Sequence, residues 1–318
     1  MPVPGDLPVF LELALSVLAT QDHGSRVETI VIPDQPTKQV TQVVQRHASA
    51  WNGPLRIELL PRPERDLLPR IGNPGHNHGV QLITGVQASS GSHIVLHDAD
   101  LFLLEPDALE RHYGTAVADD LAVCGVSPVW DQWFKENDIH LVATWELCAR
   151  RDWMRSFPPY LHMGHVGEIL EQQHIFDTTL HPQALTDPRK IGLREQDDSI
   201  VHFNYVISTY RHFAKSKGGF EDDRFRLLLI RLFVDLFAQV EANYALPSAE
   251  ELRRGLGSSG TDVPVVYPPA DEETKAKYAD FRVKTGKILD GPWTDAAKRT
   301  AAAEALAPFD VFYGWAQS

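Results

Sequence analysis

The stretch GSHIVLHDADLFLLEPDAL, residues 91–109, runs apolar, presents two aspartates one residue apart, and turns apolar again at once. Read as a strand, HIVLHDAD places Ile94, Leu96, Asp98 and Asp100 on one side, because successive side chains alternate faces. Both carboxylates then lie together where the strand leaves the core. Two hard oxygen ligands held this way suit Mg2+ or Mn2+, whose remaining positions water and phosphate oxygens can fill. The competing reading is a solvated, Asp-rich turn after a strand.

The chain upstream supplies the context for that strand. Leu11, Ala14, Leu15 and Leu18 fall on one face of a helix over residues 7–21. VETIVIPDQ, 27–35, is a β-branched run closed by Pro33 and Asp34, the pattern of a buried strand ending in a loop. Residues 37–51 read as a helix, 55–62 as a strand and 78–89 as a helix leading into HIVLHDAD. This alternation predicts an open α/β sheet, mostly parallel and flanked by helices. Ligands bind such sheets at the carboxyl ends of the strands, where Asp34 and the Asp98/Asp100 pair would lie.

Two further strands of the same sheet are expected within 116–150, an irregular His- and Pro-rich insert over 151–190, and a short strand at SIVHFNY, 199–205. Beyond about Gly219 the pattern is helical, broken at GLGSSGTDVPVVYPP, 255–269, a predicted linker or loop. Two units follow from this: residues 1–215, holding the ligand sites, and a helical C-terminal extension over 216–318.

A formal net charge of −13 argues against nucleic acid and anionic membrane as partners, since both require Lys/Arg-rich surface. Cys124 and Cys148 lack CxxC spacing and predict neither a disulfide framework nor a zinc knuckle. MPVPGDLPVFLELALSVLATQ has no basic leader and carries Glu12, so it reads as a domain helix. Arg226, Arg231 and Asp235 interrupt the most apolar later segment, which predicts an amphipathic helix instead of a membrane span. A cytoplasmic location without membrane association is the expectation.

The ordered set Ser16 to Gln21, Asp34, Asn73, Gly75, Gly85 and Asp98/Asp100 resembles the nucleotide-binding half of GT-A fold glycosyltransferases, especially glycosyltransferase family 2. The match covers roughly residues 8–210. The resemblance implies a Rossmann-like GT-A sheet and a metal-dependent, inverting, hexosyltransferase-like transfer from a nucleoside-diphosphate sugar. The acceptor would be a hydroxyl of a carbohydrate, lipid or small molecule. Asp34 would contact the nucleoside, with Asn73, Gly75 and His76 beside the nucleotide. Asp98 would approach the ribose or the metal, and Asp100 and His202 would ligate Mn2+ or Mg2+. Asp177 would be the general base, at the position of the Asp in the family's Glu-Asp pair, with Phe176 in place of the Glu. Glu168, Glu171 and Asp187 compete for that role.

Several secondary readings accompany these. Asn204 and Tyr205 could line the cleft; Trp130, Trp133, Trp145 and Glu146 could face the acceptor or belong to the core. Arg150, Arg151 and Trp153 fit either a phosphate contact or a solvated helix start, and the HxH of GHNHG, 75–79, either a polar loop or an amidohydrolase-like metal pair. The family's first strand is expected to be missing, because only MPVPGDLP precedes the first helix, unless MPVPG forms a minimal substitute or the true start lies upstream. That departure keeps open a degenerate GT-A domain acting as a binding or assembly module. A nucleotidyltransferase would show a Gly-rich, Lys/Arg-bearing loop after its first strand, a pattern not found in the sequence. The C-terminal helices could cap the acceptor site or form a homodimer.

Overall fold

A computed structural model describes residues 1–23, 26–71, 73–127, 132–194, 199–216, 224–259 and 262–315. Trp130 and the expected helical onset at Gly219 fall outside these residues.

The chain opens with strand β1, Pro2–Val3, then helix α1, Pro8–Leu18, β2, Thr29–Pro33, α2, Lys38–Ala48, and β3, Leu55–Ile57. Strands β1, β2 and β3 form a parallel sheet in that order, with Pro2 opposite Ile32 and Val3 opposite Pro33. The first strand expected to be missing is present in the minimal form that was the alternative: MPVPG supplies a two-residue strand. Pro2 is tolerated there because it begins the strand at the outer position of the sheet. Helix α1 starts at Pro8, whose absent N–H is one of the unbonded donors of a first turn anyway. All but one of its residues are buried, and the buried Glu12 is paired with Arg46 and with His47 Nε2, the latter at 2.9 Å.

Helix α3, Arg62–Ile71, precedes α4, Pro74–Ala88, which begins four residues before the predicted helix. Asn73 caps α4, its Oδ1 accepting from the His76 N–H at 3.1 Å, and Pro74 takes the first helical position. Gly85 lets α4 press onto β2: a Cβ there would stand 2.5 Å from Ile32 Cδ1. Gln81 then donates to Val3 O at 3.1 Å and Ile32 O at 2.6 Å, tying the helix to β1 and β2.

Next come β4, His93–His97, β5, Leu101–Leu103, α5, Ala108–Ala118, β6, Val123–Val126, α6, Gln132–Glu136, β7, Glu146–Arg150, and α7, Arg151–Ser156. A hairpin of β8, His165–Ile169, and β9, Gln172–Phe176, leads to α8, Leu180–Ala184, β10, Ile191–Arg194, and β11, Ile200–His202. Helices α9, Val206–Ser216, α10, Arg224–Phe237, α11, Ala249–Arg254, α12, Glu272–Leu289, and α13, Ala296–Tyr313, complete the described chain.

The α/β class is as expected, but the strand directions are mixed. The second sheet has the order β10-β6-β7-β4, in which only β10 and β6 run parallel. β5 pairs antiparallel with β11. β7 lies antiparallel beside β6, the strand that precedes it in the chain, so the direction reverses there. One buried cluster joins Phe10, Phe102, Val201 and Phe203 to Phe233, Tyr278 and Phe309, so the C-terminal helices pack on α1, β5 and β11. No helix among the described residues is long and apolar enough to cross a membrane.

Candidate metal centre and its surroundings

β4 stops at His97, so Asp98 and Asp100 lie in the turn between β4 and β5, not on a regular strand as expected. The Leu101 N–H closes that turn onto Asp98 O at 3.1 Å, and the Asp98 N–H reaches Trp145 O at 3.4 Å. β11 brings the third donor: His202 stands opposite Leu101, and the Phe203 N–H bonds Asp100 O at 3.1 Å. Asp98, Asp100 and His202 each offer a ligand atom within 4.8 Å of the others. Asp100 and His202 are buried, Asp98 partly so.

Burying two carboxylates together is unfavourable without a cation. His202 Nε2 is 3.5 Å from Asp100 Oδ1, while its buried Nδ1 has no protein partner. Trp145 stacks on the imidazole with centroids 4.6 Å apart, which restrains the ring. Two carboxylates and a restrained imidazole with an unpartnered nitrogen fit a divalent cation.

His78, on the second turn of α4, connects this cluster to the opposite wall. Its Nε2 donates to Asp98 Oδ1 at 2.9 Å, and its Nδ1 lies 3.0 Å from Thr178 Oγ1. Thr178 is fully buried, and its backbone N–H holds Asp177 Oδ1 at 2.7 Å. The Asp177 carboxylate lies over the first turn of α4, where a Cβ on Gly75 would meet its Oδ1 at 3.2 Å. Burial alone would lower the His78 pKa; the charge and hydrogen bond of Asp98, with Asp177 and Asp100 beyond, outweigh it and raise it. Asp98 is opposed by burial in the same way, yet His78, then His202 and His97, hold its carboxyl below the usual range. Burial drives His97 to about 4, so this imidazole is neutral and donates from Nδ1 to Asp98 O at 2.8 Å.

Backbone strain flanks the site. Thr179 has φ 65° and Tyr205 φ 63°, left-handed values that a β-branched or aromatic residue rarely adopts. Thr179 is held there by its N–H to His162 O at 3.2 Å and by Gln183 Nε2 at 3.1 Å.

The other predicted residues are placed as follows. Asp34 is buried at the end of β2 with both oxygens engaged, Oδ1 by the Gly5 N–H at 2.9 Å and Oδ2 by Arg211 at 2.7 Å. Arg211 also grips Asp6, at 2.7 Å. Asn73 is committed to its cap, and His76 is half-buried one turn before the site. His76 and His78 are two positions apart on a helix, which points them in different directions and removes the HxH metal pair. Glu168 and Glu171 belong to the β8–β9 hairpin, and Asp187 is paired with Arg189 at 2.6 Å. Arg150 pairs with Asp152 at 2.5 Å and Asp120 at 3.2 Å, the solvated arrangement. Trp133 lies tilted against His174, centroids 3.9 Å apart; Glu146 is buried against His112 and Arg194. Thr178 was not singled out from sequence, and His78 only as half of the HxH pair, although Asn73-Pro74, a cap followed by a first-turn proline, signals the helix that carries His78.

No protein-family model matches the chain, and no curated protein sequence does. Solved structures similar to it include S. aureus TarS 1–349 in complex with UDP-GlcNAc, 14% identical over 98% of this chain and 71% of that one, TM-score 0.44. The mannosyltransferase PcManGT from Pyrobaculum calidifontis, in complex with GDP-Man and Mn2+, is 16% identical over 100% of this chain and 86% of that one, TM-score 0.39. The galactosyltransferase LgtC, with donor and acceptor sugar analogs, is 11% identical over 94% and 98%, TM-score 0.42. Against another TarS crystal structure the chain spans 53% of the length.

Proposed function

We infer that this chain transfers a sugar from a nucleoside-diphosphate donor to an acceptor hydroxyl at a divalent-metal centre held by Asp98, Asp100 and His202. The observation that carries the reading is the convergence of these three donors with a connected path through His78 and Thr178 to Asp177. A metal would supply charge neutralisation for the departing diphosphate. The mixed oxygen and imidazole set favours Mn2+ over Mg2+, which prefers oxygen and water throughout.

Asp177 is the general base in this reading. Its side chain is exposed beside Gly75, and the Thr178 N–H fixes Oδ1, leaving Oδ2 to take the proton of an attacking hydroxyl. One carboxylate suffices for an inverting displacement, whereas a glycosidase needs two facing each other across the bond. Asp187 is a poor rival, because Arg189 holds its carboxyl down at about 2. Asp34, Asn73, Gly75 and His76 remain the nucleoside side of the proposal. Gly5 and Arg211 already occupy one lone pair on each Asp34 oxygen, so a base would meet only the remaining ones.

A thermal-shift screen of UDP-, GDP- and dTDP-sugars, with and without Mn2+, tests this function. One donor should raise the melting temperature only when Mn2+ is present. The absence of a shift with every donor would leave a non-catalytic binding module as the surviving reading.

A further inference from the structure

Building on the metal centre inferred above, we propose that His78 is a positioning residue that aims Asp98 at the cation and, through Thr178, holds Asp177 in register with it. The ring uses both nitrogens, on partners from distant parts of the chain: Asp98 Oδ1 at 2.9 Å and Thr178 Oγ1 at 3.0 Å. A ring bonded at both ends has little freedom to rotate. Its platform is equally fixed, since α4 is capped by Asn73 and bonded to two strands through Gln81.

Two consequences follow for the carboxylates. His78 engages one lone pair of Asp98 Oδ1, which leaves Oδ2 and the other lone pair of Oδ1 for a cation shared with Asp100 and His202. Thr178 is both the far partner of His78 and the residue whose N–H fixes Asp177, with its hydroxyl 3.4 Å from Asp177 Oδ1 and from Gly75 O. A single imidazole thus spans the metal side and the base side.

Two variants cut opposite ends of this link. His78→Gln carries its amide nitrogen at the reach of Nε2 and keeps the Asp98 bond; His78→Asn carries its amide at the reach of Nδ1 and keeps only the Thr178 bond. Titration calorimetry with Mn2+ alone should show His78→Asn weakened about 10- to 100-fold, the loss expected when an outer partner of a ligand is removed. His78→Gln should stay within about 3-fold of wild type in Mn2+ affinity while losing kcat at saturating donor, with the donor KM little changed. A purely structural role would weaken both variants alike, so equal Mn2+ affinities in the two overturn the proposal. Wild-type protein that takes up no Mn2+ overturns the metal centre itself, and this proposal with it.

Discussion

Trp145 and His202 stack with ring centroids 4.6 Å apart and planes 29° from parallel, so the imidazole of the candidate centre is held from one side by an indole. Removing the indole as Trp145→Ala leaves the backbone bond from the Asp98 N–H to Trp145 O possible. It frees the imidazole to rotate. Mn2+ affinity should fall about 10-fold, the lower end for loss of a group that orients a metal ligand. Calorimetry on folded variant checks this, and an affinity equal to wild type would remove Trp145 from the account.

Gly75→Ala addresses the base. The added Cβ would press on Asp177 Oδ1 at 3.2 Å, which the exposed carboxylate relieves by shifting a few tenths of an ångström on its bond from the Thr178 N–H. Stability should therefore change by less than about 0.5 kcal/mol. Turnover should drop while Mn2+ affinity holds, because the base moves and the metal donors do not. Parallel urea melts and initial rates separate the two effects.

Arg211 is half-buried between Asp34 and Asp6, and Arg211→Ala would leave the buried Asp34 without its cation. Stripping one partner from a buried pair costs about 3–5 kcal/mol; with the Arg211 side chain still 27% exposed the loss should lie below that, at about 2 kcal/mol. Urea denaturation measures it. A loss under about 0.5 kcal/mol would mean that Asp34 is not held in place by this pair.

His162 gives a pH dependence. Burial lowers its pKa from the ordinary 6.5, against the raising effect of its bond to Met154 O at 2.7 Å. The unfolded chain therefore binds a proton that the folded chain refuses, between the lowered value and 6.5. The contribution of His162 to stability is complete above 6.5 and is lost as pH falls through that window. His162→Gln keeps a donor for Met154 O without titrating, so its stability should slope less steeply with pH below 6.5. Melting curves across that range decide, with His93, His97 and His181 among the groups whose lowered values give both proteins a common remaining slope.

The two aspartates, the strand ending in His202 and the α/β alternation were legible because each depends on local pattern. What the pattern did not carry was set by distant contacts. The β8–β9 hairpin turns at Leu170 and Glu171, both at positive φ, 49° and 62°, where Asn-Gly or Asp-Gly would have announced it. Strand directions depend on which segments meet across the sheet, and the periodicity of a single strand says nothing about its partner. His78 read as the start of a helix, in a polar loop or as half of an HxH pair, and its role shows only when Asp98 and Thr178, twenty and one hundred residues away, close on it.

The most direct test is Mn2+ binding by Asp100→Ala beside wild type, followed by calorimetry and by electron paramagnetic resonance of free Mn2+. Asp100 is buried, 3.5 Å from His202 and part of the three-donor cluster. The account predicts that wild type takes up Mn2+, that Asp100→Ala does not, and that donor-dependent transfer disappears with the metal. Asp100→Ala that folds, binds Mn2+ as wild type does and turns over unchanged would contradict it.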